Sequence, residues 1–205
     1  MTRHSYRLLA LTAALTVGAF PAMVFAQAQP ARAMKSKAAM PTTGLRAELL
    51  KDVADVEKKY IQLAGAMTGK HGWRPADKTR TFGEVLMHIA GENYALPIVL
   101  GVKAPEGFAS RTMDEAFGSA AAMEKVTDEA EVKAALDKSF AHLRLGIASL
   151  SEKDMNKPVE VFGMKTTRRG FLVLIVTHMH EHLGQVVAYA RMNGVMPPWS
   201  ATSGG

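Results

Sequence analysis

The sequence contains no cysteine, and that absence closes several routes at once. A disulfide framework is excluded, as are a thiolate zinc site, a cysteine nucleophile and the lipid anchor of a lipoprotein. Any metal must be held by His, Asp or Glu. The chain also lacks an apolar run of about 20 residues, the length a membrane-spanning helix needs. Strong charge of one sign is missing from the part expected to fold. Of the 25 basic residues, Arg3, Arg7, Arg32, Lys35 and Lys37 precede Thr42, leaving 20 against 19 acidic ones. A nearly neutral domain with dispersed basic residues has no electrostatic footprint for nucleic acid, so no nucleic-acid partner is expected.

What is present begins with a leader pattern. Arg3 and Arg7 precede an apolar stretch from Leu8 to Phe20, and Val24 and Ala26 stand at the −3 and −1 positions of a cleavage site before Gln27. This reads as a secretory signal peptide over residues 1–26, which places the mature protein in the periplasm or outside the cell, with no stable membrane anchor after cleavage. No paired arginines precede the apolar stretch, so the general secretory route is expected. Residues 27–43 are rich in Ala, Gln, Pro, Lys and Met without apolar periodicity, and read as a disordered linker. Residues 44–199 form one domain, and residues 200–205 a small polar tail expected to be disordered.

Four long helical patterns fill the domain. From Gly44 to Met67, apolar residues recur at three- and four-residue steps through Leu45, Leu49, Val53, Val56, Tyr60 and Leu63. The second helix opens at a capping box, Thr81-Phe-Gly-Glu84, and is expected to continue to about Leu100 with a bend at Pro97. A shorter helix is predicted over Met113 to Met123. The third long helix starts after Thr127, and the fourth runs from near Thr167 to a stop at Asn193-Gly194. Only Pro158 to Phe162 reads as extended. The expected fold is therefore all-α: a four-helix bundle with crossover connections and a short extra helix.

Histidines carry the chemistry. His178 and His182 are four residues apart, so their imidazoles stack one turn apart on one helix face. That face also carries Phe171, Leu174, Ile175, Gln185, Val186 and Tyr189, which places the pair in the apolar stripe, pointing inward. Two inward imidazoles need a partner. A metal ion supplies one; hydrogen bonds within a core are the other solution. His88 lies at the flank of the second helix's apolar face, with Glu92 one turn on. Glu92 is a candidate acceptor for an imidazole N–H, a fourth ligand or a general base. Gln185 is the corresponding supporting candidate beside His182. Tyr94, Arg168 and Arg169 are the helix-flank residues expected to face a substrate. The run His178-Met-His-Glu-His182 is not a zincin motif, because Met179 stands where a zincin has its glutamate.

At these residues the chain resembles the DinB-like family of metal-binding four-helix bundles. The resemblance rests on Gly72-Trp73-Arg74-Pro75, on Thr81-Phe-Gly-Glu84-Val-Leu-Met-His88-Ile-Ala, on Lys157-Pro158 with Phe162-Gly163, on His178-Met-His-Glu-His182-Leu-Gly184-Gln185, and on Tyr189-Ala-Arg191 with Gly194 before Pro197-Pro198. It spans roughly Leu45 to Trp199. It implies a bundle with crossover connections, often dimeric. It also implies a divalent transition metal, commonly zinc or nickel, held at the positions matching His88, His178 and His182. Family members include transferases that use a low-molecular-weight thiol and a few hydrolases. Export sets this chain apart from the cytosolic members.

Two functions of different class follow as expectations. One is a metal-dependent enzyme, a hydrolase or thiol-S-transferase, that activates water or a thiol against a small-molecule substrate. The other is a non-catalytic periplasmic protein that binds metal or a small ligand. A structural bundle without metal is the blander third.

Overall fold

A computed structural model describes residues 40–200 of the 205. The expected signal peptide, most of the expected linker and the last five residues lie outside the described residues. Five helices follow one another: α1 (Gly44–Ala66), α2 (Phe82–Ala95), α3 (Met113–Met123), α4 (Glu129–Ser149) and α5 (Arg168–Met192). Two short strands, β1 (Pro158–Val161) and β2 (Met164–Thr167), form a hairpin between α4 and α5. Among the described residues no helix is long and apolar enough to cross a membrane.

Helix starts follow side-chain chemistry. The Thr81 hydroxyl accepts from the Glu84 amide at 3.1 Å, and the Glu84 carboxylate accepts from the Thr81 amide at 2.6 Å, completing the capping box. Thr112 caps α3, Asp128 accepts from two amides at the start of α4, and Thr167 caps α5. The second helix is shorter than its periodicity suggests. It gives way at Leu96 to a 3₁₀ segment, Leu96–Leu100, because Pro97 has no N–H to continue the α ladder. Gly101, with φ at 85°, ends that segment in the left-handed region.

The hairpin is also more than the single extended stretch expected. Pro158 pairs with Thr167 and Val161 with Met164 across a two-residue turn, Phe162-Gly163. Both turn residues have positive φ, 52° and 72°, as a primed hairpin turn requires. Two β-branched threonines are a weak strand signal beside a helix start; pairing with β1 makes the segment a strand.

Packing explains the crossovers. α1 lies against α4 and α5, while α2 lies against α4, α3 and, less extensively, α5. α1 and α2 hardly meet, so they sit on a diagonal and the loop between them crosses an end of the bundle. That loop is tied down by Phe82 N–H donating to the Trp73 carbonyl and Gly83 N–H to the His71 carbonyl, each at 2.8 Å. Tyr60, Phe82, Phe140 and Phe171 are fully buried in the common core. Burial of each is worth roughly 1.5–3 kcal/mol relative to exposure. α3 is held differently, by a seam of small residues. Ala116 and Ala120 pack against Ala95, and a Cβ on Gly91 of α2 would come within 2.8 Å of the Ala120 backbone. Only glycine at position 91 lets the two helices approach this closely.

A candidate metal centre between α2 and α5

α2 is buried along almost its whole circumference because α3, α4 and α5 surround it. Its half-buried exceptions are Glu84, His88, Glu92 and Tyr94. The first three are four residues apart and form one half-open stripe. α5 presents His178 and His182 to that stripe. On α5 the centre of the buried face is Ile175, Met179 and Val186, and both histidines are half-buried. The pair therefore sits on the flank of the apolar stripe rather than in its middle, a correction to the expectation from spacing. The reason is that α1 packs on the Met179 side, where the Tyr60 hydroxyl donates to the Met179 carbonyl at 2.8 Å. This buried bond pins the turn of α5 that carries both histidines.

The three rings converge. Centroid separations are 4.5 Å for His178–His182, 4.7 Å for His88–His182 and 5.6 Å for His88–His178. One ring nitrogen from each lies within 4.8 Å of the other two. His88 Nδ1 is 3.0 Å from Glu124 Oε1, and because a carboxylate only accepts, that nitrogen is the donor. His182 Nδ1 is 2.7 Å from Gln185 Oε1. The Gln185 amide nitrogen donates to the Tyr189 hydroxyl at 2.9 Å, which leaves its oxygen to accept from His182. The Tyr189 ring in turn meets Trp73 edge-on at 5.5 Å. In both histidines Nδ1 has an acceptor within hydrogen-bond distance, and a neutral ring that donates there keeps a lone pair on Nε2.

Glu92 stands among these nitrogens. Its Oε1 is 3.3 Å from His88 Nε2 and its Oε2 is 2.6 Å from His178 Nε2. The His178 contact is close, and because a carboxylate only accepts, a proton on His178 Nε2 is held by Glu92. Burial pushes the His88 and His182 imidazoles toward the neutral form. His178 is raised by its contact with Glu92, against burial. Burial would raise Glu92, but His178 first, then His88 and His182, hold its carboxyl below the usual range.

These features fit a divalent transition-metal ion. Two imidazoles pushed toward the neutral form with Nδ1 occupied, a third imidazole beside them, and a carboxylate at the point of convergence are donors suited to a borderline metal. The group His88, His178 and His182 could hold such an ion.

Other sequence candidates lie elsewhere. The Tyr94 ring packs against His142 and Phe108 at 5.2 and 5.5 Å, not against the three histidines. Arg168 opens α5, about 15 Å along the helix from His178 at 1.5 Å per residue, and Arg169 follows it. His180 is exposed and bonded to Asp52 at 3.0 Å. Reasoning from sequence missed Glu124, which follows α3 and comes to His88 only because α3 packs on α2. It also missed Arg80, which donates to Glu124 through Nε and a terminal nitrogen at 2.8 and 3.0 Å. No local spacing signals either residue.

Comparison with known proteins identifies the lineage. The family model of the DinB superfamily matches residues 53–186. The chain belongs to the DinB superfamily. A crystal structure of a DinB-like protein from Bacillus cereus has the same fold, with a TM-score of 0.59 and 17% identity over 73% of this chain and 93% of that one. A DinB-like protein from Bacillus subtilis is similar at a TM-score of 0.54 and 16% identity, over 72% and 92% of the two chains. No curated protein matches significantly. All three histidines that the DinB resemblance singles out meet at one place, and Glu124, Gln185 and Glu92 surround them.

Proposed function

We propose that this DinB-superfamily protein is exported and binds one zinc or nickel ion through His88, His178 and His182, as an enzyme that activates water or a thiol against a small-molecule substrate. The observation that carries the reading is the convergence of three imidazoles, two of them with Nδ1 occupied so that Nε2 is presented. A bound ion of this kind supplies Lewis acidity, which makes water or a thiol nucleophilic near neutral pH. The chain's own residues supply the rest. Glu92, ionised and beside two of the histidines, can take the nucleophile's proton at a carboxylate oxygen. α3 and α5 make almost no contact with each other, which leaves an approach to the group over α2.

Metal content measured by mass spectrometry in wild type and His182→Ala tests the site. Near-stoichiometric metal in wild type and roughly a tenfold lower metal content in the variant are expected. Full occupancy in His182→Ala would sink the assignment. Export predicts a mature chain that begins at Gln27, read by intact mass of the secreted protein.

A second reading, a non-catalytic metal-binding protein, draws on the same Glu92. As a fourth ligand, it would close a tetrahedral site. Glu92→Gln separates the two. A large fall in zinc affinity marks a ligand. Retained affinity with lost turnover, across thiol-transfer and ester-hydrolysis panels, marks a base.

A further inference from the structure

We propose that Glu124 is the positioning residue of the three-histidine group: it holds His88 with the proton on Nδ1, and the close Gly91–Ala120 contact sets the distance at which it does so. The affinity readout below rests on the metal reading; the tautomer readout does not.

A neutral imidazole carries one proton, and two carboxylates compete for the His88 proton. Glu124 Oε1 is 3.0 Å from Nδ1 and Glu92 Oε1 is 3.3 Å from Nε2. If Glu92 wins, Nε2 becomes a donor and cannot ligate. If Glu124 wins, Nε2 keeps its lone pair, directed toward the other two histidines. Glu124 is built to win. Arg80 grips it with two nitrogens, so the carboxylate plane is fixed: Oε2 accepts from Arg80 Nε, and Oε1 accepts from both Arg80 and His88. Arg80 immediately precedes the Thr81 cap, so the two groups that hold the Glu124 carboxylate, Arg80 and His88, are both anchored to α2.

The placement of Glu124 needs explaining, because an acid at a helix C-terminus is disfavoured by the helix dipole. Glu124 is the C-cap residue of α3. Its carboxylate is compensated only by reaching across to Arg80 and His88, and that reach depends on how closely α3 lies on α2. Gly91 is about one turn beyond His88, and Ala120 is one turn before Glu124. A Cβ at position 91 would lie 2.8 Å from both Cα and O of Ala120, backbone atoms that move only if α3 moves. The glycine and the glutamate are therefore two parts of one device.

The test uses the full-length mature chain. Long-range nitrogen–proton spectra report the His88 tautomer without metal, and competition with a chromophoric chelator reports zinc affinity. Wild type should show His88 protonated on Nδ1. Glu124→Ala should move the proton to Nε2 and weaken zinc binding roughly 10- to 100-fold. Glu124→Gln, which keeps an acceptor oxygen, should retain the Nδ1 proton and lose less. Gly91→Ala should weaken zinc in the same direction, and combined with Glu124→Ala should add no more than about twofold, since both remove one interaction. A Glu124→Ala protein with the wild-type tautomer, or with zinc affinity within about twofold of wild type, overturns the proposal. Independent losses at Gly91 and Glu124 overturn the coupling. If wild type binds neither zinc nor nickel, the metal reading fails and the tautomer result alone decides. If Glu124→Ala does not fold, Arg80→Gln carries the test: an unchanged tautomer and unchanged zinc affinity there would reject the relay.

Discussion

At the scale of single residues, four half-buried imidazoles have four different surroundings. His88 has Glu124, His182 has Gln185, His178 has the Glu92 carboxylate, and His142 has only ring contact with Tyr94. The Nε2 of His142 is buried without a partner, and burial lowers its pKa. The fold thus accommodates the neutral ring. Its contribution is intact above the unfolded value of about 6.5. It is lost as pH falls from there through the depressed folded value, because the unfolded chain takes up the proton first. In the metal-free protein, His142→Leu should therefore reduce the drop in urea midpoint between about pH 7.5 and about pH 5.5. An unchanged drop would mean that His142 titrates as freely in the fold as in the unfolded chain.

Whole elements follow rules that the sequence states openly, up to the point where packing intervenes. The capping box of α2 is local, four consecutive residues, and was legible. Thr81→Ala should cost about 1 kcal/mol by urea denaturation. Glu84→Gln, which keeps an acceptor for the Thr81 amide, should cost less. The helical periods of α1, α4 and α5 were equally legible, since apolar residues at 3.6-residue spacing need only one neighbour to bury them. The second strand was not, because its residues are extended only through pairing with β1. The exact face of α5 was not legible either. Spacing puts His178 and His182 in an apolar sector, but α1 and the Tyr60–Met179 bond decide where its centre falls. That rotation leaves the pair half-buried, reachable by an ion from outside, instead of sealed in the core.

At the scale of the molecule, an ion at the three histidines would tie α2 to α5, which otherwise touch less than α2 touches α4. Binding to the folded state alone stabilises it by about 4 kcal/mol at a thousand times the dissociation constant. For a domain of this size that corresponds to a rise in melting temperature of roughly 10 °C. The rise should appear with zinc in wild type and vanish in His182→Ala; an equal rise in both would place the ion elsewhere. The sequence by itself determined the helix count, the capping box of α2, the stop after α5, the absence of protein thiolates and the i, i+4 pair; the box, the stop and the pair depend only on neighbours within a turn or two. The three-histidine group begins from that pair. Only tertiary structure decided that His88 meets it, that Glu92 stands between them, and that Glu124 and Arg80 hold His88 from behind. Those contacts depend on how closely α3 and α5 pack on α2, and a seam as small as Gly91 against Ala120 leaves no periodic trace in the chain.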